Sequence, residues 1–195
     1  LFFLLLASCS KYQKILKSTD LNLKFEKAVA YYEKDDFNRA LPLLEELSTA
    51  FRGSAKAEEV NYYYAYCHYS LGEHLMASYL FDTYAQTFPS GKHTEECQYM
   101  TAYCYYLESP IYKLDSKNTY KAINQLQLFT NLYPKSKRVK ECNNLIDESI
   151  FKISVNTSIM KGWFLASLNL PTCPTINVLD GMPSSLRIAS LSTVF

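Results

Sequence analysis

The side chains with chemical reach in this 195-residue chain are 6 cysteines, 3 histidines, 19 carboxylates and 17 tyrosines. Spacing decides which of them can act together. His68, His74 and His93 have no histidine four residues away, so no two imidazoles share a helix face and the H-E-x-x-H pattern is absent. Cys67 and His68 adjoin, but neighbours on a helix diverge by about 100°. Cys67, Cys97, Cys104, Cys142 and Cys173 form no C-x-x-C pair and read as small apolar core residues. Gly53, Gly72, Gly91, Gly162 and Gly181 build neither G-x-G-x-x-G nor a phosphate loop, so a nucleotide would lack its backbone cradle. The acidic pairs Asp35-Asp36, Glu45-Glu46, Glu58-Glu59 and Glu95-Glu96 are expected at helix starts and on solvated faces. With no nucleophile–base pair and no convergent ligand set, the sequence reads as a non-enzyme without metal or cofactor.

What does recur at helical spacing is aromatic. Tyr62, Tyr66 and Tyr69 stand at i, i+4 and i+7, as do Tyr99, Tyr103 and Tyr106, and Phe25, Val29 and Tyr32 hold the same places earlier. A phenol offers apolar ring area and a hydroxyl at low conformational cost. Helices carrying such stripes side by side would make a groove whose rings grip the side chains of an extended peptide while the hydroxyls meet its backbone. The expected peptide-binding residues are Tyr32, Tyr62, Tyr66, Tyr69, Tyr99, Tyr103 and Tyr106. The same stripes also suit packing between neighbouring helices, with each hydroxyl satisfied locally.

The elements that must position these stripes come from an internal repeat. Residues 28–40 recur at 65–77, from Ala28 and Ala40 to Ala65 and Ala77, and a third copy opens at Ala102 and resumes at Ala122 after a longer connection, Glu108 to Lys121, that contains Ser109-Pro110. Small residues at these places let two helices of a hairpin approach. Leu44 and Leu47, Phe81 and Tyr84, and Leu126 and Phe129 fill the space between hairpins. Helices are expected at about 20–34, 37–51, 56–71, 74–88, 93–107, 117–132 and 136–149. Ser18-Thr19-Asp20 supplies an N-cap for the first, and Pro89 and Pro134 close two hairpins. The turn glycine Gly72 is Asp35 in the first copy, and Arg52 replaces its closing proline. Only 5 Gly, where average usage would give about 14, agrees with a chain of helices.

The N-terminus holds one more reactive position. Leu1 to Leu6 is an apolar run, and Leu6-Ala7-Ser8-Cys9 matches the lipobox that ends a bacterial lipoprotein signal peptide. Cleavage before Cys9 leaves its thiolate to accept diacylglycerol, and several acyl chains together make a stable anchor. Residues 1–8 are then the signal-peptide end and 9–19 a lipidated linker. Neither an initiator Met nor basic residues precede the apolar run, so the first residues are expected to be missing. Ser10 after the cysteine resembles lipoproteins sorted to the outer membrane. A net charge of +1 supplies no field for nucleic acid, and Lys135, Lys137, Arg138 and Lys140 read as a solvated helix start. From about 150 to 195 the chain has no Tyr, no Glu and one acid, Asp180, and no 3.6-residue period is evident. Loss of the reading frame near Glu148 would produce such a change.

Taken together, the repeat resembles the tetratricopeptide repeat. That resemblance implies an all-α, helical-hairpin solenoid winding as a right-handed superhelix, with about three repeats and the start of a fourth over 20–149. The lipobox, the segment from Cys9 to Ser18, Tyr62-Tyr63-Tyr64-Ala65-Tyr66-Cys67, Ala102-Tyr103-Cys104-Tyr105-Tyr106 and Ala122-Ile123-Asn124-Gln125-Leu126-Gln127-Leu128-Phe129 are similar to the BamD family. The family resemblance implies a lipoprotein subunit of the β-barrel assembly machinery, held by Cys9 in the outer membrane and facing the periplasm. Its N-terminal repeats are expected to recognise C-terminal strands of unfolded barrel proteins. Its C-terminal repeats are expected to dock the BamA-type barrel subunit beside the other assembly subunits, although no BamA-contacting residue carries over. Two alternatives stay open: a SusD-like glycan-binding lipoprotein, disfavoured by a single Trp, Trp163, and a periplasmic repeat scaffold with another client.

Overall fold

A computed structural model describes residues 11–109 and 116–167, with side chains through 155 and at 157. The described residues are all α-helical, in a tetratricopeptide-like arrangement of hairpins. After a helical segment at 11–16 come α1 (Leu21–Tyr32), α2 (Phe37–Ala50), α3 (Ala57–Ser70), α4 (His74–Thr87), α5 (Thr94–Leu107), α6 (Lys117–Leu132) and α7 (Val139–Ser167). The chain forms two compact units that divide within α5, after Cys104, and each is described by itself.

In the first unit α1 pairs with α2 and α3 with α4, and α2 also packs on α3. The start of α1 is set by Asp20, whose carboxylate accepts from the amides of Asn22 and Leu23 at 2.9 and 3.0 Å and so satisfies two donors that a helix leaves unpaired. Both hairpin turns use the left-handed region: Asp35 has φ 56° and Gly72 φ 79°. The aspartate therefore does the glycine's work, at the steric cost a β-carbon carries there. Gly53, φ 76°, supplies a left-handed residue in the turn after α2, where the closing proline is replaced by Arg52.

The small residues Ala28, Ala40, Ala65 and Ala77 are fully buried, as are Leu44, Leu47 and Phe81. In the second unit α6 packs on α7, and Ala122, Leu126 and Phe129 are buried. Cys67, Cys97, Cys104 and Cys142 are free thiols inside the two units. Burial raises Cys67 to about 12 and Cys142 to about 11, so these thiols stay protonated and inert. Cys9 and Cys173 lie outside the described residues.

Two expectations are corrected. Residues 9–19 do not behave throughout as a linker, because 11–16 is helical and Tyr12, Ile15 and Leu16 pack on the α1–α2 core. The Tyr12 hydroxyl donates to the Arg39 carbonyl at 3.0 Å, and its ring meets Tyr31 edge-on at 5.7 Å. The last helix does not stop near 149 but runs to Ser167. No proline interrupts it, and extending an existing helix costs far less than starting one. Phe151, Lys152, Ile153 and Val155 are half-buried, and Lys152 donates to the Ser109 carbonyl at 3.4 Å. Among the described residues no helix is long and apolar enough to cross a membrane.

Candidate functional site

The tyrosine face is best defined on α3. Tyr62, Tyr66 and Tyr69 share one stripe and are half-buried. Tyr62 lies 4.7 Å from Tyr66 and stacks at 4.1 Å on His93, while Tyr66 meets Phe81 edge-on at 4.9 Å. Aromatic pairs prefer such offset and edge geometries because the negative ring face attracts a positive edge. Tyr32, at the end of α1, meets Tyr63 at 5.0 Å and Phe37 at 5.5 Å, both edge-on. Tyr99 and Tyr103 on α5 stack at 5.7 Å.

A carboxylate organises the phenols. Glu96 accepts from the Tyr66 hydroxyl at 2.6 Å and from the Tyr62 hydroxyl at 3.3 Å, and His93 Nδ1 lies 3.5 Å from it. Side chains on a helix tilt toward its N-terminus, so the α3 phenols reach back to the level of the first turn of α5. Glu58, four residues before Tyr62 on the same face of α3, does the corresponding work one turn earlier. It accepts from Tyr84 at 2.8 Å and from the Lys92 amide at 2.7 Å. These two bonds hold its carboxyl below the usual range, the Tyr84 bond contributing most. Gly91 keeps this clasp open, since a β-carbon there would meet Glu58 Oε1 at 2.8 Å and the Phe88 carbonyl at 3.0 Å.

Burial raises the Tyr32 phenol to about 12, with nearby Cys67, Tyr63 and Glu96 adding to the shift. Burial also pushes up Tyr62 and Tyr66, helped by the charge of Glu96. All three are neutral hydroxyls at neutral pH. Because Tyr62 and Tyr66 give their protons to Glu96, their oxygens retain lone pairs to accept from another donor.

The expected site residues therefore divide. Tyr32, Tyr62, Tyr66, Tyr69 and Tyr103 are half-buried and show ring area. Tyr99 is 3% exposed, so it supports Tyr103 from within and offers almost no surface of its own. Phe25, the earliest residue of the stripe, is likewise core. Tyr106 belongs to the second unit, where its hydroxyl donates to Glu148 and Lys152 Nζ lies 4.0 Å from its ring centre. Glu58 and Glu96 stand in the first turns of α3 and α5 as expected, but they are half-buried and accept from phenols, which corrects the reading of them as solvated surface. A signal for Glu96 was present: it follows Tyr62 by 34 and Tyr66 by 30 residues, close to one repeat.

Residues 18–149 match the model of the YfiO family, described as an outer membrane lipoprotein. The chain belongs to this family. No curated protein matches it. The tyrosine face of α3 and α5 and both of its carboxylates fall inside the matched region, so they are part of the YfiO domain itself.

Proposed function

We propose that this YfiO-family protein is a non-enzymatic lipoprotein subunit of the outer-membrane β-barrel assembly complex. It is anchored through Cys9, faces the periplasm and recognises C-terminal strands of unfolded barrel proteins. The observation that carries the client-binding part is the Glu96-clamped row of Tyr62 and Tyr66, whose hydroxyls donate their protons to that carboxylate. Such oxygens accept from backbone N–H groups, which an extended, unpaired strand presents in a row. The neighbouring rings of Tyr32, Tyr69 and Tyr103 supply apolar contact for alternate side chains of the same strand. A BamA-type barrel subunit and the other assembly subunits are the proposed standing partners.

Titration of the full chain with a fluorescent peptide copying the last strand of an outer-membrane barrel, against its scrambled form, tests this reading. Selective binding that falls at least about tenfold in Tyr66→Ala and Tyr103→Ala is expected. Equal binding of both peptides by a folded chain would remove client recognition from the aromatic face. Co-purification with a BamA-type subunit tests the assembly role separately, and mass spectrometry of Cys9 tests the anchor.

A further inference from the structure

On the first unit, away from the phenol row, an open cleft of about 430 Å³ lies between the helical segment 11–16 and α1. Lys11, Lys14, Lys27 and Lys34 ring it, and no carboxylate lines it. Each pair of lysines is presented by helical spacing: 11, 14 and 15 share one face of the segment, and 27, 30, 31 and 34 one face of α1. The floor is apolar, made of Ile15, Ala30 and the ring of Tyr31. The four ammonium groups are exposed, and none is ion-paired with a described residue. Tyr12 fixes the geometry by bonding the Arg39 carbonyl and packing on Tyr31, while the Arg39 guanidinium, ion-paired with Asp36 at 3.1 Å, sits 5.8 Å over the Tyr31 ring.

We propose that this cleft binds the phosphate headgroup of an anionic lipid, lysines on the phosphate and the apolar floor under the glycerol and upper acyl carbons. Four like charges held together are costly unless an anion joins them, and a phosphate presents several acceptor oxygens. The choice of a membrane lipid rests on the reading of Cys9 as the anchor. Lys11 follows Cys9 by two residues, at most about 7 Å of extended chain, so an anchored protein carries the cleft at the membrane surface. Lysines in that position add to anionic-surface attraction and lose it within a Debye length. The cleft would orient the repeats on the leaflet, where the acyl chains alone leave them free to swivel.

The test uses the full chain carrying Cys9→Ser, so that acylation is absent and its failure is read separately by the mass spectrometry above. Co-sedimentation is measured with phosphatidylcholine vesicles, with and without phosphatidylglycerol. The expected result is a preference for phosphatidylglycerol that drops about tenfold or more in Lys14→Gln/Lys27→Gln. It should change less than about threefold in Lys135→Gln/Lys137→Gln, which removes the same charge elsewhere. All four lysines are exposed, so folding measured by circular dichroism is expected to be unchanged. Equal loss in the two double variants would overturn the proposal in favour of general charge attraction. No preference for phosphatidylglycerol would overturn it too. Displacement of vesicles by about 10 mM inorganic phosphate would assign the cleft to a free anion, and displacement by a barrel-strand peptide with a free carboxylate would assign it to a peptide terminus; either overturns the lipid reading.

Discussion

Hairpin α1–α2 and hairpin α3–α4 share one backbone plan but solve their packing with different chemistry. Positions 37 residues apart correspond, as Ala28 and Ala40 do to Ala65 and Ala77. At the places of Glu58 and Tyr84 the first hairpin has Leu21 and Leu47, and at the place of Tyr66 it has Val29. Leu21, Val29 and Leu47 accordingly join the dry cluster around Phe25, Leu43 and Leu44. Its buried Lys24 is held by both oxygens of Glu46 at 2.6 Å. The second hairpin instead carries a phenol at the places of Val29 and Leu47, as Tyr66 and Tyr84, and Glu96 and Glu58 accept from their hydroxyls. A repeat can thus exchange apolar pairs for phenol–carboxylate pairs without altering the fold, provided both members change together. A buried phenol left unpaired would carry the uncompensated desolvation penalty of its hydroxyl.

The largest break in the comparison should come from the dry hairpin. Leu47→Ala is expected to cost about 3 kcal/mol in urea unfolding, since the leucine is fully buried and the cavity has no polar groups to recruit water. In the phenol hairpin Tyr66→Phe removes one oxygen and should cost about 1.5 kcal/mol, and a double-mutant cycle with Glu96→Gln should recover most of that as coupling. Additive single effects would mean that Glu96 does not hold Tyr66 in solution.

Titration sharpens the difference. Glu58 has a lowered folded pKa, so its stabilisation is complete above the unfolded carboxyl value of 4.5 and is lost as pH falls through the folded value. Glu58→Gln should therefore flatten the acid limb of the stability curve. The phenols act at the other end. Tyr32 rises from 10.0 to about 12, so the stabilisation linked to its neutral form is complete below pH 10 and is lost as pH rises toward 12. Absorbance at about 295 nm should show a class of phenols that ionise only with alkaline unfolding.

Glycine positions give smaller effects. Gly72→Ala should cost about 1 kcal/mol at its left-handed φ, while Asp35→Gly should be neutral or stabilise by a few tenths, because the aspartate already occupies that region. Matching thermal shifts at the two turns would show that Asp35 gains a local contact that Gly72 lacks.

Much of this was legible beforehand. The 37-residue recurrence, the alanine pairs, Asp20 as a cap and the buried Leu44, Leu47, Phe81, Leu126 and Phe129 follow from periodicity, because burying one helix stripe is a one-dimensional requirement. The carboxylates of the site were less legible. Glu58 and Glu59 are adjacent and chemically alike, yet Glu58 binds Tyr84 and Lys92 while Glu59 is exposed. Neighbours on a helix face about 100° apart, so which of the two meets a phenol depends on where the next helix lies. Tyr99 misled for the same reason: its spacing matches that of Tyr62, but a fuller environment closes over it.

By itself, the sequence determined the helical hairpins, their apolar cores and membership of a lipoprotein repeat family, since these depend on residue type at fixed intervals along the chain. Only the tertiary structure decided that Glu96 gathers Tyr62 and Tyr66, that Gly91 leaves room for Glu58, and that residues 11–16 fold back to bring Lys11 and Lys14 opposite Lys27 and Lys34. Those pairings lie 13 to 34 residues apart in sequence. They arise from the angles at which packed helices meet, which ridge-into-groove contact selects and no single helix encodes.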